Sequence, residues 1–153
     1  MRTPAVFAAL LLTGTVMSPV AASADATYHS THIVLSPSPG TSGGSGFVEN
    51  IHANGPNIFA HEQYHLQHAT ADTSYTVTLH IYGPDTTCSA ALPQDVEAAT
   101  LTTNAAGNAS GRHVFSPQDA AVLPKGVPLG VIWTMSAGAD QTYTSSCQTI
   151  ILD

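Results

Sequence analysis

Residues 74–83 read SYTVTLHIYG and restrict the fold more than any other part of the chain. Tyr75, Val77, Leu79 and Ile81 alternate with Thr76, Thr78, His80 and Tyr82. A period of two places the four apolar side chains on one side of an extended backbone. Such a strand has to cover that side with another apolar face, which commits the chain to a layered β core. Gly83-Pro84 ends the run. Shorter segments of the same kind recur at 28–35, 47–52, 100–103, 110–115, 127–135 and 143–152. Between them lie the Pro- and Gly-rich loop SPSPGTSGGSG (36–46) and a turn with Asn104, Gly107 and Asn108, residues that tolerate left-handed backbone angles. Ser116-Pro117-Gln118-Asp119 has the order of a helix start, with an N-cap Ser and a Pro at the first helical position, and predicts a short helix to about Leu123. The count is seven to nine short antiparallel strands, with at most one short helix, at the spacing of a β-sandwich.

One stretch carries a family resemblance. ATADTSYTVTLHIYG (69–83) resembles the strand-entry corner of fibronectin type III and related immunoglobulin-like modules, through Thr73 and Tyr75. Ala69 and Ala71 stand where those modules carry leucine and proline, and Trp133 follows the corner where their core Trp precedes it. LTTNAAGNAS (101–110) is similar to the T-x-A-x-G turns of bacterial extracellular Ig-like domains. The resemblance implies an Ig-like antiparallel β-sandwich. It implies no activity.

The N-terminus has a different character. A single basic residue (Arg2), an apolar run around 6–12 and small residues ending Ala22-Ser23-Ala24 give the three-part pattern of a secretory signal, with cleavage expected before Asp25. The apolar run is too short for a permanent membrane anchor. Residues 25–153 are then the folded unit, a single secreted domain long enough for one core. That unit holds Arg112 and Lys125 as its only Lys or Arg against ten carboxylates. Two cations cannot make the basic footprint that phosphate backbones require, so a nucleic-acid partner is not expected. Both cysteines, Cys88 and Cys147, follow the signal, and export to an oxidising compartment predicts a disulfide between them.

The most suggestive letters are H-E-x-x-H at His61, Glu62 and His65. On a helix, residues four apart lie one turn apart, so both imidazoles reach one zinc with the carboxylate beside them as general base. The flanking residues predict a strand, because Tyr64 and Leu66 alternate with Gln63, His65 and Gln67. On a strand the two histidines are four steps of about 3.3 Å apart, too far to share an ion. The same parity puts Glu62 on the side of Tyr64, where a buried carboxylate needs a partner, and His52 and His61 are the nearby candidates. His29, His32, His80 and His113 are spread over other strands, where a sheet can gather imidazoles for copper or zinc. No G-x-S-x-G elbow marks a nucleophile, the Gly-rich loop lacks the Lys of a phosphate loop, and the Asn108-Ala109-Ser110 sequon sits in a turn that explains the same residues. The leading expectation is a small, non-catalytic binding or interaction module without a cofactor, facing an extracellular protein or surface polymer. The alternatives are a secreted histidine-based copper- or zinc-binding protein, and a zinc hydrolase using His61, His65 and Glu62.

Overall fold

The computed structural model describes residues 28–151 apart from 42, 54–59, 92, 117, 120, 122 and 125, and these residues are all-β. The expected signal, residues 1–24, lies outside them. Nine antiparallel strands follow one another: β1 (Tyr28–Pro37), β2 (Ser45–Ala53), β3 (Ala60–Gln67), β4 (Ser74–Ile81), β5 (Gln94–Thr102), β6 (Ala109–Phe115), β7 (Pro128–Ser136), β8 (Thr142–Ser145) and β9 (Gln148–Ile151). They make one sheet in the order β5-β4-β7-β8-β1-β2-β3-β6, with β9 also paired to β7. The short β8 bonds to both β7 and β1 and so turns the corner between β5-β4-β7-β9 and β1-β2-β3-β6. The end strands β5 and β6 approach each other on the far side, which makes the sheet nearly closed and barrel-like.

The alternation that singled out 74–83 is what fills the interior. Tyr75, Val77, Leu79 and Ile81 are buried in β4, opposite Ile33 and Leu35 of β1, Val48 of β2, Tyr64 and Leu66 of β3, and joined by Trp133 and Met135 of β7. The Asn104–Asn108 turn between β5 and β6 docks on the β3–β4 turn, where the Ala69 amide donates to the Gly107 carbonyl at 3.0 Å. Gly107 has φ +75°, and a Cβ there would stand 2.1 Å from the Ala69 carbonyl oxygen, so the position requires glycine.

Three sequence expectations are corrected. The helix expected from Ser116 to Leu123 is absent among the described residues, which form turns. Asp119, instead of sitting passively in a first helical turn, accepts bonds from the Ser116 amide (2.7 Å) and hydroxyl (2.8 Å) and closes a tight local loop. The C-terminal strand is two strands, β8 and β9, interrupted at Ser146-Cys147. The strand expected at 100–103 starts earlier, at Gln94, because β5 pairs along the whole of β4 through a bulge at Val77/Thr78.

Candidate functional site

Strand β3 divides the H-E-x-x-H letters between two faces. Ala60, Glu62, Tyr64 and Leu66 point inward, while His61, Gln63 and His65 line the outer surface. Tyr64 and Leu66 are inward and His65 outward, as the parity of the sequence implies. Glu62 lies on the opposite side of the sheet from both histidines, and the two histidines are separated by four strand steps, roughly 13 Å of backbone. The residues of the zinc alternative are therefore not brought together. Among the described residues no group of three or more His, Cys, Asp or Glu side chains is placed to hold a metal ion.

What the strand builds around Glu62 is a different site. Glu62 is only 1 % exposed, in the centre of the core, with no cation beside it. Three neutral donors hold it: Asn50 Nδ2 to Oε1 at 2.5 Å, the Tyr64 hydroxyl to Oε2 at 2.6 Å, and Trp133 Nε1 shared between both oxygens at 3.0 and 3.1 Å. Asn50 is the direct cross-strand partner of Glu62 on β2, Tyr64 is the next inward residue on β3, and Trp133 reaches across from β7. The expected partners were His52 and His61. His61 is on the outer face, and the His52 side chain falls outside the described residues. Burial raises the Glu62 carboxyl above its ordinary value, and the bonds from Tyr64, Trp133 and Asn50 pull it back only in part. The same burial, followed by the charge and hydrogen bond of Glu62, pushes the Tyr64 hydroxyl upward, so Tyr64 stays a donor throughout the physiological range.

Asn50, Glu62 and Trp133 of this cluster form one wall of a largely apolar cavity of about 50 Å³, lined on its other sides by Leu79, Ile81, Phe115, Leu129, Val131 and Ile150. A cavity of that size has room for a few water-sized groups. Asn50, 2 % exposed, also lines it, and Asn50 Oδ1 is buried with no hydrogen-bond partner among the described residues. An unpaired buried amide oxygen costs on the order of 1–3 kcal/mol, which makes it a position where a donor is wanted. The exposed Asp119 and half-buried Leu123 stand at the cavity's outer side. His113, the register partner of Glu62 on β6, shares the inner face and packs edge-on to Phe115.

His32, His65 and His80 make cross-strand contacts outside. His32 bonds to Glu49, its neighbour on β2, and its ring lies 4.9 Å from Phe47, which in turn stacks on His65 at 4.5 Å and 15°. Rings stacked at the spacing of neighbouring strands stand upright and cover one another's faces, so they stabilise the sheet and present no flat aromatic platform. On β4, His80 connects Asp95 (Nδ1, 2.6 Å) with Thr134 (Nε2, 3.0 Å), the order of a carboxylate, base and hydroxyl. These three lie across β5, β4 and β7, and β4 is hydrogen-bonded on both sides. Ladder pairing leaves no amides converging on a developing oxyanion, so the chain of bonds reads as a surface cross-strand network. Asn108 of the sequon is exposed, and its side-chain oxygen holds the His68 amide at 3.0 Å.

Comparison with protein-family models, curated proteins and solved structures finds no match to this chain.

Proposed function

We propose that the protein is an exported, non-catalytic binding domain whose ligand enters the cavity beside Glu62. One observation carries the reading: a largely apolar cavity against which a buried carboxyl group and an Asn50 Oδ1 without a partner among the described residues sit together. Sites for small molecules have this composition, apolar around a few fixed polar groups. Support for a binding rather than a hydrolytic role comes from β3, which turns Glu62 away from His61 and His65. The Cys88–Cys147 disulfide is compatible with export. The immunoglobulin-like layout belongs to the same proposal, with β5-β4-β7-β9 as one layer facing β1-β2-β3-β6.

Trp133 is the only tryptophan of the chain and lines the cavity, so its fluorescence reports occupancy directly. Molecules of two to four heavy atoms are expected to shift Trp133 emission saturably. Ala60→Val, which adds two methyl groups at the cavity wall, is expected to abolish the shift while unfolding within about 1–3 kcal/mol of the parent. If no such molecule moves Trp133, or if Ala60→Val binds as well as the parent, the cavity is not the site.

A further inference from the structure

Two clefts meet on the outer face over β3 and β6. One, of about 320 Å³, lies between His61, Gln63, His65, Ser110, Gly111 and Arg112. The other, of about 410 Å³, continues from His65 and Ser110 to Gln67, His68, Asn104 and Asn108. The strand register explains them, because His65 faces Ser110 and Gln63 faces Arg112, so the small Ser110 leaves a depression between longer neighbours. No Asp or Glu lines either cleft, although the chain carries 10. Arg112 is exposed, is the one Lys or Arg among the described residues, and makes no ion pair with any of them. Elsewhere on the surface polar side chains pair with one another, His32 with Glu49, Thr70 with Gln141, and His80 with Asp95 and Thr134. Within the clefts the side-chain hydrogen bonds among the described residues use the oxygens of Asn104 and Asn108 and leave their NH₂ groups free to donate. Gln63, His65, Gln67, Ser110 and Arg112 are all partly or fully exposed, so a ligand can reach them. We infer that the two clefts form one site for a carboxylate-bearing sugar, whose carboxylate lies against Arg112 while its hydroxyls meet Ser110, Gln67 and the amide groups of Asn104 and Asn108. The inference goes beyond the cavity reading above and does not depend on it.

Charge and hydrogen-bonding capacity select the ligand class. A guanidinium presents a planar fork of N–H donors that matches a carboxylate. One fork suits a single negative charge, whereas a phosphate backbone needs a broad basic footprint. The neighbouring carboxylates leave Arg112 free. Arg112, Gln63 and Glu49 stand side by side on β6, β3 and β2, so Glu49 is two strand spacings away, roughly 10 Å, and it is bonded to His32. At that distance physiological salt screens most of its repulsion. Asp72, whose amide donates to the Asn104 carbonyl, lies beyond the far end of the second cleft, where hydroxyls and not the carboxylate are placed. Glu62 faces the core. The remaining polar groups suit hydroxyls, which both donate and accept, as do the Ser110 hydroxyl, the Gln67 amide and an imidazole. A peptide side chain of apolar character finds no pocket, because the apolar side chains lining the clefts are Leu66, which points into the core, and Ala109. From Asn108 to Arg112 the chain advances four residues, roughly 13 Å, which leaves room for more than one sugar ring.

The test titrates the full domain with galacturonate, galactose, acetate and trigalacturonate and follows its NMR signals. Galacturonate is expected to shift Gln63, Gln67, Ser110 and Arg112 saturably and to bind at least about 5-fold more tightly than galactose or acetate, which each carry half of its chemistry. Arg112→Gln has no ion pair to lose among the described residues and is expected to fold like the parent, to weaken galacturonate at least about 5-fold and to leave galactose within about 2-fold. Gln67→Ala is expected to weaken galacturonate and galactose alike, by about 2- to 5-fold, and to leave acetate unchanged. Trigalacturonate binding more tightly than galacturonate would support the inference and assign the site to a polymer chain, and equal binding would support it and assign the site to a single acidic sugar. Acetate binding as tightly as galacturonate would overturn it in favour of a bare anion site. Galactose binding as tightly, an unchanged affinity in Arg112→Gln, or no saturable shift with any of the four would overturn it as well. Trp133 emission reports the cavity separately, so failure here leaves the cavity reading standing.

Discussion

Replacing Tyr64 by Ala is expected to lower the free energy of unfolding by about 3–5 kcal/mol, the usual range for truncating a buried aromatic side chain. Tyr64 is completely buried between β2 and β6 in the ladder, and its hydroxyl is one of the three donors that satisfy Glu62. The substitution opens a void and leaves a buried carboxyl one donor short, two costs that act together. Tyr64→Phe separates them, keeping the ring and losing about 1–3 kcal/mol for the missing donor. His65→Ala, one residue away on the outer face, is expected to cost only about 0.5–1 kcal/mol, the contribution of its stacking on Phe47. Urea unfolding of the three variants checks the order. A larger loss at His65 than at Tyr64 would show that the strand runs with the opposite parity.

The second large effect is at the disulfide. Cys88 and Cys147 are bonded with their Cα atoms 5.8 Å apart and 59 residues apart in sequence. Replacing both by Ala is expected to cost about 4 kcal/mol through the freedom returned to the unfolded chain. For a domain of this length, that corresponds to a fall of roughly 10–20 °C in melting temperature. The bond ties the loop after β4 to the break between β8 and β9. That loop has its own internal clasp. Asp85 accepts bonds from the Thr87 hydroxyl and amide and from the Ser89 and Ala90 amides, with the Thr87 hydroxyl contributing most to holding its carboxyl well below the ordinary range. The clasp organises the loop locally, but β9 itself is only four residues long and paired on one side to β7. The disulfide therefore adds to the β7 ladder and the buried Ile150 in holding β9 in place, and reduction is expected to reproduce the loss seen in the double variant. A change below about 1 kcal/mol would mean the unfolded chain gains little from the cut.

Which parts of this architecture were legible in the sequence follows from how local each cause is. The inward positions of β3 and β4 were readable because strand parity needs only neighbouring residues. Tyr75, Val77, Leu79 and Ile81 announce their face without help from the rest of the chain. The partners of Glu62 were not readable. Asn50 is 12 residues away and Trp133 is 71, and only the order β7-β8-β1-β2-β3, which depends on the four-residue β8 turning the corner, brings them together. The sequence does carry a signal, a carboxylate with the parity of a core position, but the partners are neutral donors and not the expected histidines. Neutral donors suffice because burial itself favours the uncharged carboxyl. The missing helix has a similar cause. The letters Ser-Pro-Gln-Asp suit a helix start and an Asp-closed turn equally, and Leu123, packed against the core, fixes the second outcome. Strand β5 extends well before 100–103 although Asp95 and Glu97 break its apolar alternation, because charged residues are suited to an end strand that lacks a ladder partner on its outer side.

Glu62 is a buried carboxyl group in the core, held by neutral donors alone, rather than a base beside a metal. A carboxyl group raised in the folded state gives stability that is complete below its unfolded value, 4.5, and is lost as pH rises through the folded value. Within that window the unfolded chain ionises while the native state still holds the proton, and each pH unit removes at most about 1.4 kcal/mol. Asp85 and Asp119 are depressed and act in the opposite sense at lower pH, but they titrate equally in a Glu62→Gln variant and cancel in the comparison. The decisive measurement is the urea-unfolding free energy of the parent minus that of Glu62→Gln, followed from pH 4 to pH 8. The difference is predicted to fall as pH rises above about 4.5 and then to level off once Glu62 ionises in the native state. A difference that stays constant, or that rises with pH as it would for a carboxylate held by a cation, would contradict the account.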